Sequence, residues 1–81
     1  MTEQEIKVEI ERYIKGSYST WTIGITDDLD RRGTEHGNPQ RWRHWYTTTE
    51  EVARRIESYF IEKGCKGDVG GGENPNYVYI F

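Results

Sequence analysis

Arg32 and His36 stand four residues apart, one helical turn, in a segment (TIGITDDLDRRGTEH, residues 22–36) whose aspartates suit a helix cap. The guanidinium of Arg32 stays charged, is planar and can clamp a phosphate through two parallel hydrogen bonds. The same side chain would equally well pair with Asp28, four residues earlier. The imidazole of His36 can relay a proton, or simply sit at a helix end where the dipole favours it. Glu57 falls in a longer amphipathic segment (EEVARRIES, residues 50–58), at the border of an apolar stripe formed by Val52, Ile56, Tyr59 and Phe60. A carboxylate there is held without being submerged. It suits a hard cation such as Mg²⁺, which needs one or two protein ligands, and it also suits an ordinary boundary glutamate. Tyr77 and Tyr79 alternate onto one face of the terminal segment YVYIF.

Other residues carry weaker chemistry. Gly64, Gly67, Gly70, Gly71 and Gly72 could form a backbone nest for an anion. That run lacks the Lys-Ser/Thr ending of a phosphate-binding loop and precedes a strand, which fits a connector better. Trp21, Trp42 and Trp45 could stack bases, but in a small domain such rings serve the core first. His44, between two tryptophans, reads as packed or hydrogen-bonded. The net charge of −3 is unlike the basic footprint of a general nucleic-acid binder. Its distribution is uneven: residues 1–30 carry −4, residues 31–55 carry +3 and residues 56–81 carry −2. The positive third holds six arginines and both histidines, so Arg31, Arg32, Arg41 and Arg43 are the candidate phosphate-facing cations.

The elements that must position these residues follow from local signals. Thr2 with Glu5 forms a capping-box pattern, and Ile6, Ile10, Tyr13 and Ile14 recur at helical spacing, predicting a helix over 3–15 closed by Gly16. The β-branched run at 20–26 predicts a strand. Asp27 or Asp28 caps a short helix over 28–36, ended by His36-Gly37-Asn38-Pro39. Residues 41–47 predict a second strand with Trp42, His44 and Tyr46 on one face and Arg41, Arg43 and Trp45 on the other. Thr48 with Glu51 opens a long helix over 49–63, closed by Gly64, and after a loop over 64–76 the last strand spans 77–81. The reading is one α+β domain over residues 1–81. Its small three-stranded sheet is flanked by helices in the order α-β-α-β-α-β.

Two blocks of this pattern resemble the GIY-YIG nuclease family. In that family a strand ending in Tyr-Ile-Gly enters a Thr-containing turn, then a helix bearing an arginine and a histidine. Here Ile23-Gly24, Thr26, Leu29, Arg32 and His36 match in order, and EEVARRIES resembles the later helix, with Glu57 at the metal-binding glutamate. The chain departs at three points. Thr22 replaces the second tyrosine, Gly33 stands where leucine is usual, and no GIY strand precedes residue 20. The terminal YVYIF segment is therefore expected to fill the missing strand by pairing with residues 20–26, a circular permutation that lets Tyr77 or Tyr79 supply the family's phenol. An unpaired edge at that position would otherwise be a liability.

The resemblance implies a GIY-YIG-like fold and metal-dependent cleavage of nucleic-acid phosphodiesters. Glu57 would hold Mg²⁺ or Mn²⁺ and Arg32 the scissile phosphate, and His36, Tyr18, Tyr77 or Tyr79 would move protons, since Thr22 cannot. The alternative is a domain that has lost the chemistry and binds nucleic acid or protein. One cysteine, Cys65, excludes a disulfide framework and a Cys-rich zinc site. No apolar run approaches the roughly 18 residues of a membrane span, and the acidic N-terminus lacks a signal-peptide core, so a cytoplasmic protein is expected.

Overall fold

The first helix, α1 (Glu3–Ile14), starts where the sequence reads it. The backbone N–H of Glu5 donates to Thr2 Oγ1 (3.1 Å) and that of Thr2 to Glu5 Oε1 (2.7 Å). Ile6, Ile10 and Ile14 are buried, and the chain leaves through Lys15 and Gly16, both in the left-handed region. A 3-10 turn (Tyr18–Thr20) leads into β1 (Thr22–Thr26). Thr26 is buried, and its hydroxyl accepts from the Asp28 N–H (2.9 Å), so the strand bends directly into the cap of α2 (Leu29–Glu35). Of the two aspartates it is Asp28 that caps, accepting from the Arg31 N–H at 3.0 Å.

The computed structural model describes residues 1–68 and 74–81. Beyond α2 lie β2 (Arg43–Tyr46), α3 (Glu50–Lys63), β3 (Lys66–Gly67) and β4 (Tyr77–Ile80). Helix α3 is capped by Thr49, whose hydroxyl accepts from the Val52 N–H (3.2 Å), one residue later than the expected Thr48 box. Among the described residues the sheet has four strands in the order β2-β4-β1-β3, not three. The added strand β3 lies within the segment read as loop. It runs parallel to β1, held by Lys66 N–H to Trp21 O and Asp68 N–H to Ile23 O, both 3.0 Å. Two residues have no periodicity to betray them. The element order is accordingly α-β-α-β-α-β-β.

The terminal strand occupies the centre of the sheet. β4 pairs antiparallel with β1, Gly24 opposite Tyr79 and Thr26 opposite Tyr77, and antiparallel with β2 on its other side. The expected pairing of YVYIF with TIGIT is what the chain forms. Strand alternation then sorts the side chains. Ile23, Ile25, Trp45, Val78 and Ile80 face α1 and α3 and join Ile6, Ile10, Ile14, Ala53, Ile56 and Phe60 in one core. The opposite face carries Gly24, Tyr79, Tyr77 and Tyr46, with Trp42 stacked on the Tyr79 ring. Among the described residues, no helix is long and apolar enough to cross a membrane.

Candidate active site

Tyr79 is the centre of the polar cluster, and a missing side chain makes room for it. A Cβ at Gly24 would overlap the Tyr79 hydroxyl and ring, so the phenol lies in the space that glycine leaves. Trp42 stacks over the same ring at 4.8 Å between centroids and 20° between planes. With relative exposure of 0%, Tyr79 must place its hydroxyl on a partner, and it donates to the Asp68 carboxylate. The same oxygen, Asp68 Oδ2, lies 2.7 Å from His36 Nε2. A carboxylate only accepts, so His36 carries its hydrogen on Nε2. The His36 ring also packs on Phe81, 4.5 Å away.

Arg32 approaches the same group. It comes from the middle of α2, one turn before His36, and its side chain is 12% exposed. It pairs loosely with Glu35, at 3.7 Å, and its charge acts on both Asp68 and Tyr79. Glu57 comes from α3, partly buried at the edge of the stripe. Its charge acts on Tyr79, and that of Asp68 acts on Glu57. Arg32, His36, Glu57, Asp68 and Tyr79 thus form one electrostatically linked group.

The shifts describe the environment. Burial pushes the Tyr79 phenol well above its ordinary value, and the hydrogen bond to Asp68 adds to it. Burial alone would raise Asp68, but the hydrogen bonds from Tyr79 and His36, with the charges of His36 and Arg32, outweigh it and hold the carboxyl below its ordinary value. Glu57 is raised, first by burial and then by Asp68, against the pull of Arg54.

A raised acid in the folded state favours folding below its ordinary value of 4.5, and that contribution is lost as pH rises through the folded value. Ionised Glu57 is therefore a burden on the fold at neutral pH. Glu57→Gln should melt at a higher temperature than the parent chain at pH 7, the difference closing at acid pH. Thermal unfolding followed by circular dichroism across that range is the check. An equal or lower melting temperature at pH 7 would contradict it.

The remaining candidates lie elsewhere. Tyr77 sits beside Tyr46, ring centroids 5.6 Å apart, and Tyr18 bonds Glu11 (2.8 Å) from the turn after α1. Arg31 is engaged with Asp27 (3.1 Å) and Glu35 (3.6 Å) on the surface of α2. Arg41 stacks on Trp21 at 3.6 Å and donates to Thr20 O, and Arg43 lies over the Tyr13 ring. These last two serve the helix-covered side of the sheet and do not join Arg32. Trp21 and Trp45 are core residues, whereas Trp42 belongs to the cluster. His44 is exposed, not packed, because strand alternation puts it on the face of β2 opposite the buried Trp45. Burial raises the Cys65 thiol to about 11, which leaves it unreactive.

Asp68 is the residue that sequence reasoning missed. It is the sole acidic residue between Gly64 and Gly72, the one available signal. The glycine run at 70–72, considered above as an anion nest, lies outside the described residues. Comparison of the chain with protein-family models, curated proteins and solved structures finds no match.

Proposed function

We propose that this chain is a GIY-YIG-like domain whose sheet is completed by its own C-terminal strand, and that it cleaves nucleic-acid phosphodiesters with the help of a divalent cation. One observation carries the reading. The last strand pairs with TIGIT so that Tyr79 fills the space over Gly24, in reach of Arg32, His36 and Glu57. Those residue types are the ones that the resemblance implies, and four separate elements bring them together.

Carboxylate oxygen suits a hard cation, which needs only one or two protein ligands. Glu57 is a partly buried carboxylate with Asp68 in electrostatic reach, and among the described residues no group of three His, Cys, Asp or Glu side chains that could hold a metal ion is found. Mg²⁺ or Mn²⁺ held by Glu57 would supply Lewis acidity at a phosphate oxygen. Arg32 binds the phosphate and offsets the negative charge that grows on it in the transition state. Tyr79 and His36 handle protons. Trp42, partly exposed and stacked on the buried Tyr79 ring, gives the approaching substrate an aromatic surface.

The test pairs binding with cleavage. Mg²⁺ or Mn²⁺ is titrated against the ¹⁵N-labelled chain, with Glu57→Ala as control, and labelled single- and double-stranded oligonucleotides are incubated with the loaded protein. Amide shifts centred on residue 57 that vanish in the variant, together with metal-dependent cutting, are expected. Millimolar metal without localised shifts, and intact oligonucleotides, would instead leave a binding module that kept the scaffold alone.

A further inference from the structure

We propose that the groove between α2 and the turn that follows it is a base-binding subsite that selects guanine. The inference rests on the nucleic-acid reading above and names the base that such a substrate would present next to the Arg32 cluster.

Gly33 stands inside α2 with no structural need to be glycine. Its backbone lies outside the left-handed region, and a Cβ there would make only ordinary contacts, with Asn38 Oδ1 and Trp42 Cζ2, both at 3.9 Å. Glycine weakens a helix interior relative to alanine, so the fold gives up stability at a position where a methyl group would fit. The missing side chain faces a groove of about 420 Å³, within the roughly 300–1,000 Å³ of small-molecule clefts. Every residue lining that groove is partly or fully exposed, so a ligand reaches it from solvent.

The walls are fixed. Asn38, at φ 51°, donates its backbone N–H to Gly33 O (2.7 Å), which folds the turn back against α2. Leu29, Pro39 and Trp42 supply apolar surface. The Trp42 ring is the one stacked on Tyr79, so the groove and the polar cluster share a wall.

The polar edge of the groove is rich in acceptors. The Asp30 carboxylate is exposed, and Arg31 beside it goes instead to Asp27 and Glu35. The Thr34 hydroxyl donates to Asp30 O (2.9 Å), so its oxygen has only lone pairs to offer. A flat ring with N–H donors along one edge suits these groups. Guanine presents two such donors side by side, N1–H and N2–H, and they match the two oxygens of a carboxylate as a guanidinium does. Adenine and cytosine set a bare ring nitrogen beside the amino group, and uracil sets a carbonyl on either side of its one N–H. A carboxylate repels both arrangements. The Asn38 amide can donate to guanine O6.

The ¹⁵N-labelled chain is titrated with GMP, AMP, CMP and UMP, beside Gly33→Ala, Gly33→Leu and Asp30→Asn. GMP should move the amides of residues 33 and 38 and the Trp42 indole N–H, and should bind about tenfold more tightly than the other three. Asp30→Asn should bring GMP close to the affinity of AMP. Gly33→Leu fills the groove and should weaken GMP about tenfold or more. Gly33→Ala should melt roughly 4–8 °C above the parent, since alanine favours the helix and has room there. Lost binding in a glycine variant that melts no lower than the parent is not lost folding. Equal affinity for the four nucleotides, GMP binding untouched by Gly33→Leu, or a lower midpoint for Gly33→Ala would overturn the subsite. Oligonucleotides with guanine at varied positions, incubated in Mn²⁺, separate the two readings. Cutting without preference for guanine would remove the subsite and keep the cleavage reading. Guanine-selective shifts with intact oligonucleotides would keep the subsite and remove cleavage.

Discussion

Gly24→Ala should unfold the domain at a markedly lower temperature than the parent chain. The methyl group would occupy the volume of the Tyr79 hydroxyl and ring, which cannot retreat, because Trp42 covers the opposite side. Overpacking of this kind costs roughly 1–3 kcal/mol. Tilting the phenol also breaks its bond to Asp68, and a hydrogen bond to a charged group contributes about 1.5–3 kcal/mol. A combined loss of about 3 kcal/mol would lower the midpoint by roughly 12–24 °C in a domain of this size. Circular dichroism melting is the measurement. Tyr79→Phe removes the nearest of the atoms the new methyl would meet and leaves the ring carbons Cζ and Cε2 behind, so in a double-mutant cycle Gly24→Ala should cost less on the phenylalanine background but still destabilise it. A midpoint within two or three degrees of the parent would show that the ring does not depend on the glycine.

On the proposed phosphodiester reading, Arg32→Ala should lower cleavage by about 10³-fold, most of it in kcat, because that reading sets its charge where negative charge grows in the transition state. The side chain is 12% exposed and its field reaches Asp68 and Tyr79, so it acts in a partly desolvated setting where a charge counts for more than on the open surface. Arg32→Lys keeps the charge but loses the planar fork and should recover only part of the rate. Arg31→Ala, on the same helix but engaged with Asp27 and Glu35, is the matched control and should cut near the parent rate. Equal losses in the Arg31 and Arg32 variants would mean that both act through general charge, not through a defined clamp.

Much of the frame was legible locally. The Thr2 cap with Glu5, the isoleucines of α1 and the apolar stripe of α3 are signals within a few residues of each other, and the structure follows them. Errors arose where several local solutions were nearly equal. Thr48 with Glu51 reads as the cap, yet the hydroxyl that accepts from the first turn is that of the next residue, Thr49. His44 was given neighbours by its sequence position, whereas strand alternation turns it toward solvent. The arginine-rich third read as one patch, yet Arg41 and Arg43 went to rings on the helix-covered side and Arg32 to the other.

By itself the sequence determined α1, α2 and α3, the strands β1 and β2 and the terminal strand β4, and it put Arg32 and His36 one turn apart, because propensity, capping and periodicity act over a handful of residues. It also brought the terminal strand to TIGIT, since an unpaired edge beside a hydrophobic strand is costly. Only the tertiary structure decided that Tyr79 and not Tyr77 fills the space over Gly24, and that Asp68 joins it. The partners of Asp68 lie 32 residues before it and 11 after it, and nothing in the chain between them encodes the meeting. Register across β4 sets which tyrosine faces the glycine, and a two-residue strand too short to read in the sequence sets where the carboxylate stands.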